Sequence, residues 1–284
     1  METQSKTEKI IGIAGLGLIG GSMAKAIRRS TACQVVGFDL SLPVLQNALR
    51  DNAIHRIGTE DSMKQLDVLL LALYPQAILD FTRQHMPQLK PGTIVVDLCG
   101  IKEYVCSPLD ELARQYGCIY IGGHPMAGRE FSGYAYSLPS LFEGGSMILT
   151  PMESSTPQAV EEMTQLFYQL GFARVVTTTP QNHDRMIAFT SQLAHVVSSA
   201  YIKSPEAALH QGYSAGSYKD LTRVARLNED MWTDLFLKNS GPLTHELDGL
   251  IQRLTQYRNA IAGQDAETLR QLLREGRERK EAIG

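Results

Sequence analysis

Residues 9–14, a short apolar run, lead straight into Gly15-Leu16-Gly17-Leu18-Ile19-Gly20, and a G-x-G-x-x-G between a strand and a helix restricts the fold more than any other feature of this chain. Each glycine has a separate steric task. Gly15 permits the tight turn, Gly17 lets the backbone approach a pyrophosphate, and Gly20 lets the following helix pack closely on the strand. Leu18 and Ile19 open that helix, whose first N–H groups have no partner within it and attract phosphate oxygens. Residues 22–29 continue the helix, and residues 34–39 supply the second strand of a βαβ unit, ending in Asp39. A carboxylate at that point accepts hydrogen bonds from ribose hydroxyls and repels a 2′-phosphate, so the expected cofactor is NAD rather than NADP.

The first half of the chain goes on alternating strands and helices. Residues 66–72, 93–97, 118–121, 146–150 and 173–177 read as strands, and residues 77–85, 107–116 and 156–170 as helices. The first of these strands is continuously apolar, as expected of a parallel strand covered on both faces. After Thr179-Pro180 helical patterns take over, at 181–201, 218–228, 229–240, 244–263 and 265–282. The expected fold is α/β, with a doubly wound, mostly parallel Rossmann-type sheet domain over residues 1–180 and an all-α helical domain over residues 181–284.

In the helix at 181–201, Met186, Phe189, Leu193, Val196, Val197 and Ala200 fall on one arc and are expected to face the core. Asp184, Ala188, Ser191 and His195 lie opposite, and periodicity alone makes that a solvated polar face. Leu247, Leu250, Ile251 and Leu254 form an apolar stripe suited to pairing helices, within the chain or across a dimer.

With 284 residues there is room for two domains, and a net charge of -3 argues against nucleic acid or an anionic membrane as a main partner. No apolar run approaches the roughly 18 residues of a membrane span. Residues 1–8 are polar and lack the apolar core of an export signal. Cys33, Cys99, Cys106 and Cys118 show no C-x-x-C spacing and are expected to be reduced thiols, with no metal site, in a cytoplasmic protein.

Three spots look chemical. His124 stands in Gly122-Gly123-His124-Pro125-Met126-Ala127-Gly128, which reads as a glycine-bounded loop after a strand. Residues 97–102, Asp-Leu-Cys-Gly-Ile-Lys, follow another strand and sit at a carboxyl edge, where open α/β sheets bind ligands. Lys219 and Arg223 are four apart on a helical pattern. Two cations so spaced repel unless an anion lies between them; the alternatives are a solvated basic face or pairing with an internal acid.

Taken together, these segments resemble the prephenate and arogenate dehydrogenase family of tyrosine biosynthesis over nearly the whole chain. The resemblance rests on the glycine turn at residues 15–20, G-G-H-P-M-A-G at 122–128, L-F-E-G-G-S-M-I-L-T-P at 141–151, and His183-Asp184. It extends through S-Q-L-A-H at 191–195 and K-D-L-T-R-V-A with M-W-T-D-L between 219 and 235. It implies oxidation of a cyclohexadienyl substrate at its ring hydroxyl, with hydride transfer to NAD, loss of the ring carboxylate and aromatisation. His124 would hold and deprotonate the hydroxyl, Arg223 would bind a substrate carboxylate with Lys219 beside it, and His183 and His195 would line or support the site. The helical domain would pair in a homodimer.

Two departures stand out. Many members carry G-S-V-K where this chain has residues 99–102, so Gly100 takes the place of a serine that assists the histidine, and S-H-L-P-H loses its first histidine to Gln192. A catalytically weakened, cofactor-binding sensor and a small hydroxy-acid dehydrogenase on the same plan are the competing readings.

Overall fold

The computed structural model describes residues 9–129 and 131–284, so the expectation for residues 1–8 lies outside the described residues. In chain order the elements of the sheet half begin with β1 (Ile10–Ala14), α1 (Leu18–Ser30), β2 (Gln34–Phe38), α2 (Leu42–Arg50), β3 (Arg56–Ile57) and α3 (Glu60–Met63). They continue with β4 (Val68–Leu71), α4 (Pro75–His85), β5 (Ile94–Asp97), α5 (Glu103–Tyr116), β6 (Ile119–Met126), β7 (Ser146–Pro151), α6 (Pro157–Gln169) and β8 (Arg174–Thr177). The strands form one eight-stranded sheet in the order β3-β2-β1-β4-β5-β6-β7-β8. Pairing is parallel throughout except between β6 and β7.

Every residue of β4 and β5 is buried, as their apolar sequences require of strands covered on both faces. Side chains alternate between two cores. Val68, Leu70, Ile94 and Val96 join Met23 and Ile27 of α1, Leu45 of α2 and Phe167 of α6 on one face. Leu69, Leu71 and Val95 join Ile78 of α4 and Leu109 of α5 on the other. The sheet is thus doubly wound and mostly parallel, as expected. The short elements α2, β3 and α3 add to the strands and helices anticipated above.

Two expectations change in the sheet half. The segment around His124 is strand, not loop, because β6 continues through Met126 against β7, with His124 opposite Ile148. Its glycines serve close packing: a Cβ on Gly122 would collide with Thr150 Oγ1 and lie 2.8 Å from Cys106 Sγ, and one on Gly123 would lie 2.6 Å from the Asp97 carbonyl oxygen. The register also explains how the chain reaches the site. Asp97 pairs with Gly122, Gly123 with Leu149, and Leu149 with Thr177, so the reversed strand β8 ends level with the carboxyl end of β5.

From there the chain enters α7 (Pro180–Ile187), a π-helical turn (Ala188–Gln192) and α8 (Leu193–Tyr201), followed by α9 (Gly216–Thr222), α10 (Glu229–Lys238), α11 (Ser240–Ala262) and α12 (Ala266–Ile283). The π-helical turn holds one residue more than an α-helical path would and shifts the phase of the helix by about 100°. Beyond it, Leu193, Val196 and Val197 pack inward with Ala188 and Leu243 as the periodicity anticipated. Before it and at its start the faces are exchanged: Met186 and Phe189 are exposed, whereas His183, Asp184, Ile187 and Ala188 are buried. Ala200 is exposed as well. The helix expected over 218–228 is shorter and ends at Thr222. Asn228 instead caps α10, its side-chain oxygen accepting the Met231 N–H at 2.9 Å. The apolar stripe of α11 is divided, with Leu247 and Leu250 packed inward and Ile251 and Leu254 exposed.

Candidate active site

The glycine turn is built to leave a helix end open. Gly15 has φ +84°, a Cβ on Gly20 would collide with the Gly15 carbonyl oxygen, and a Cβ on Gly17 would meet nothing within 4 Å. Gly17 is the N-cap of α1 and contributes no side-chain capping bond, so the N–H groups of Leu18 and Ile19 face an approach free of side chain. At the end of β2, Asp39 accepts the Leu16 N–H through Oδ2 and the Ser41 N–H through Oδ1, both at 2.8 Å. Each oxygen keeps a lone pair for a further donor. An uncapped helix start beside a fixed carboxylate fits the pyrophosphate and ribose of a dinucleotide.

On the same carboxyl edge of the sheet, His124 Nδ1 lies 2.9 Å from His183 Nε2 of α7. His183 Nδ1 in turn lies 2.6 Å from Asp184 Oδ1. The Asp184 carboxylate also accepts the Lys102 and Glu103 N–H groups, one on each oxygen at 2.8 Å, and so caps α5 from the helical half of the molecule. Asp184, on the face read as solvated, is 1% exposed and with the equally buried His183 forms a polar junction, while Ser191 and His195 of that face are half-buried. Gly100 sits beside His124: a Cβ there would lie 3.6 Å from His124 Nε2, in ordinary contact. The missing serine of the family pattern therefore corresponds to a real position next to that nitrogen.

Behind His124 lies a second buried group that sequence reading located, in residues 97–102, without assigning its parts. Lys102 is fully buried and its ammonium pairs with Asp97 Oδ1. The Asp97 carboxylate also accepts the Tyr120 hydroxyl on Oδ2 at 2.6 Å and the Cys99 N–H on Oδ1 at 3.1 Å. Burial opposes the charge of Lys102, but Asp97 and the neighbouring Cys99 and Cys106 thiols hold its pKa above the usual lysine value. Tyr120 gave no motif; its only signal is a hydroxyl in an otherwise apolar strand. Burial first, then His183 and the Lys102 cation, depress the His124 pKa well below the ordinary imidazole value. Burial and Lys102 also lower His183, against the opposing pull of Asp184 and Asp97. Both rings are neutral at neutral pH.

A further group forms around α8 and α10. His195 Nδ1 lies 2.8 Å from the Ser191 carbonyl oxygen, and its ring centroid is 4.0 Å from that of Trp232. Burial and the charge of Arg223 lower its pKa. Arg223, at the C-cap of α9, and Lys219 are exposed, and their side chains make no hydrogen bond or ion pair among the described residues. The structure thus joins His124 to His183 and associates His195 with Arg223; among the described residues no hydrogen bond or ion pair links these two groups. Gln192, which replaces a histidine of the family pattern, is buried and accepts the Asn239 Nδ2–H at 2.7 Å, while Asn239 also donates to the Asp184 carbonyl oxygen at 3.0 Å. No cluster of three or more His, Cys, Asp or Glu side chains is placed to hold a metal ion among the described residues.

Residues 23–177 match the family model described as "Prephenate dehydrogenase, nucleotide-binding domain", and residues 179–275 match "Prephenate dehydrogenase, dimerization domain". Among curated proteins, the cyclohexadienyl dehydrogenase of Zymomonas mobilis is 31% identical over 97% of this chain and 96% of its own length. The prephenate dehydrogenase of Bacillus subtilis is 28% identical over 90% of this chain and 71% of its own. Among solved structures, the prephenate dehydrogenase from A. aeolicus in complex with hydroxyphenyl propionate and NAD+ superposes with a TM-score of 0.87 at 27% identity, covering 99% of this chain and all of that one. The Synechocystis arogenate dehydrogenase gives 0.83 at 26%, covering 97% and 100%.

Proposed function

This chain belongs to the prephenate dehydrogenase family, and from that premise we propose that it oxidises and decarboxylates prephenate or arogenate, using NAD, in tyrosine biosynthesis. The observation that carries the reading is His124, a neutral imidazole on the same sheet edge as the open glycine turn, with its Nε2 beside the side-chain-free Gly100. Gly15, Gly17, Leu18, Ile19, Gly20 and Asp39 would hold the cofactor. When bound, the nicotinamide supplies the hydride acceptor.

His124 Nε2 takes the proton of the substrate's ring hydroxyl, which raises electron density on the oxygen and eases departure of the hydride from the carbon that bears it. The C–COO⁻ bond then breaks, carbon dioxide leaves, and its electron pair completes the aromatic ring. The product keeps its hydroxyl, so His124 returns the proton to the phenolic oxygen and is ready for the next turnover. A neutral imidazole suits both halves of this exchange.

Arg223 would bind a substrate carboxylate through its planar fork, with Lys219 adding charge and His195 lining the same side. The carboxylate it holds is the side-chain one, since an ion pair to the departing group would stabilise the charged ground state against loss of neutral carbon dioxide. Residues 1–180 form the cofactor-binding part and residues 181–284 the part that binds substrate and pairs two copies. The family matches, which change over between residues 177 and 179, support that division, and exposed Ile251, Leu254 and Ile261 on α11 support the pairing. Among the described residues no helix is long and apolar enough to cross a membrane. A cytoplasmic homodimer acting on a small molecule, without nucleic acid or membrane, is the assembly proposed.

The test is the NADH absorbance band, with prephenate, arogenate and small hydroxy acids offered in turn with NAD or NADP. NAD-dependent turnover of at least one ring substrate is expected. Binding of NAD without turnover of either ring substrate overturns the reading.

A further inference from the structure

The hydrogen-bond series Asp184–His183–His124 contains a logic that none of its members shows alone. A carboxylate only accepts, and Asp184 already takes two backbone N–H groups from the start of α5. The 2.6 Å contact to His183 Nδ1 therefore carries its hydrogen on that nitrogen. A neutral His183 then has a bare lone pair at Nε2, and the hydrogen in the 2.9 Å contact between the rings must belong to His124 Nδ1. His124 Nε2 is left without a hydrogen.

We propose that His183 and Asp184 are positioning residues that fix the tautomer of His124, so that Nε2 is the lone pair offered to the substrate hydroxyl. The proposal rests on the reading of His124 as the base. It gives the pair the orienting task that Gly100, lacking a side chain, cannot perform. It also places His183 one step behind the reaction, since both of its ring nitrogens are engaged within the protein. Once His124 has taken the proton, its Nδ1–H still points at His183, whose own N–H is held by the Asp184 carboxylate, and the positive charge is stabilised along the series.

The surrounding charges keep this polarity in place. Asp184 faces His183 from its own helix, Lys102 and Asp97 face it from the segment between β5 and α5, Glu103 lies beside Asp184 at the start of α5, and His124 faces it from β6. A cationic His183 would present a hydrogen at Nε2 and force the His124 hydrogen onto the reacting nitrogen. Burial and Lys102 oppose that state.

The experiment uses the full chain in two measurements. Nitrogen-15 spectra of histidine-labelled protein above pH 7, without cofactor or substrate, are expected to show His124 protonated at Nδ1 and unprotonated at Nε2. The opposite tautomer overturns the proposal. In NADH assays His183→Leu is expected to lower kcat about 100-fold with little change in KM, on the scale of losing control of a catalytic imidazole. His183→Gln, whose amide oxygen can accept the Nδ1–H, recovers at least about tenfold of that loss, and the acid limb of its kcat/KM profile moves up, because one of the groups that depress His124 is gone while burial and Lys102 remain.

Retention of wild-type kcat and acid limb by His183→Leu overturns the proposal. If that variant no longer binds NAD in a titration, the tautomer seen in the wild-type spectrum decides. His124→Asn separates the two readings. Wild-type turnover in that variant overturns the assignment of the base, whereas loss of turnover to which His183→Leu adds nothing further supports both.

Discussion

At the scale of single residues, the proposed site divides labour between groups that would touch the reaction and groups that would hold them. His124→Asn is expected to lower kcat by about 100-fold or more with little effect on KM, because it removes proton transfer and not binding. Arg223→Ala is expected to raise KM for the ring substrate by about tenfold or more, since a charge-assisted bond to a carboxylate is worth roughly 1.5–3 kcal/mol. Steady-state kinetics on the two variants checks both, and a KM effect for the histidine paired with a kcat effect for the arginine would reverse the roles. The turn at Gly15, Gly17 and Gly20 and the place of Asp39 at the end of β2 were legible in the sequence, because they are tied to short local spacings, whereas His124 was singled out but expected in a loop and lies in a strand. Asp184 was not, since its partners His183, Lys102 and Glu103 meet only when α7 is laid against α5.

At the scale of elements, strands and crossovers were readable wherever both faces are buried, as in β4 and β5. Periodicity failed at the π-helical turn, where one surplus residue exchanges the faces of α7 while α8 keeps its own. A single 3.6-residue period cannot describe both sides of such a turn. Deleting exposed Thr190 is expected to convert the turn to regular α-helix while α7 and α8 keep their faces, with NAD binding preserved. Removing a residue from the middle of α11 turns everything after it by about 100° and is expected to disrupt the packing of α12. Comparison of soluble yield and thermal unfolding for the two deletions checks this. In β6, Gly122→Ala is expected to destabilise the protein by about 1–3 kcal/mol, read as a lowered Tm, because the new methyl group meets Thr150 and Cys106.

At the scale of the whole molecule, burial opposes the charge of three histidines, one each on β6, α7 and α8. His124, His183 and His195 all have pKa values lowered by burial. An unfolded chain binds protons on them near pH 6.5 while the folded one does not, so stability is expected to fall as pH drops below about 6.5. Denaturant midpoints between pH 8 and about 5.5 check the sign, and a midpoint that rises on acidification contradicts it. One feature of this junction bears on how such a protein can be taken apart. Because Asp184 closes the first turn of α5 while its neighbour His183 holds His124, the boundary near residue 179 separates two stretches of chain but not two devices. Under the proposed roles, grafting the helical half of a relative onto this sheet is expected to exchange the α5 cap and the His124 partner together with the proposed substrate-binding side chains, so the parts would not act as interchangeable modules.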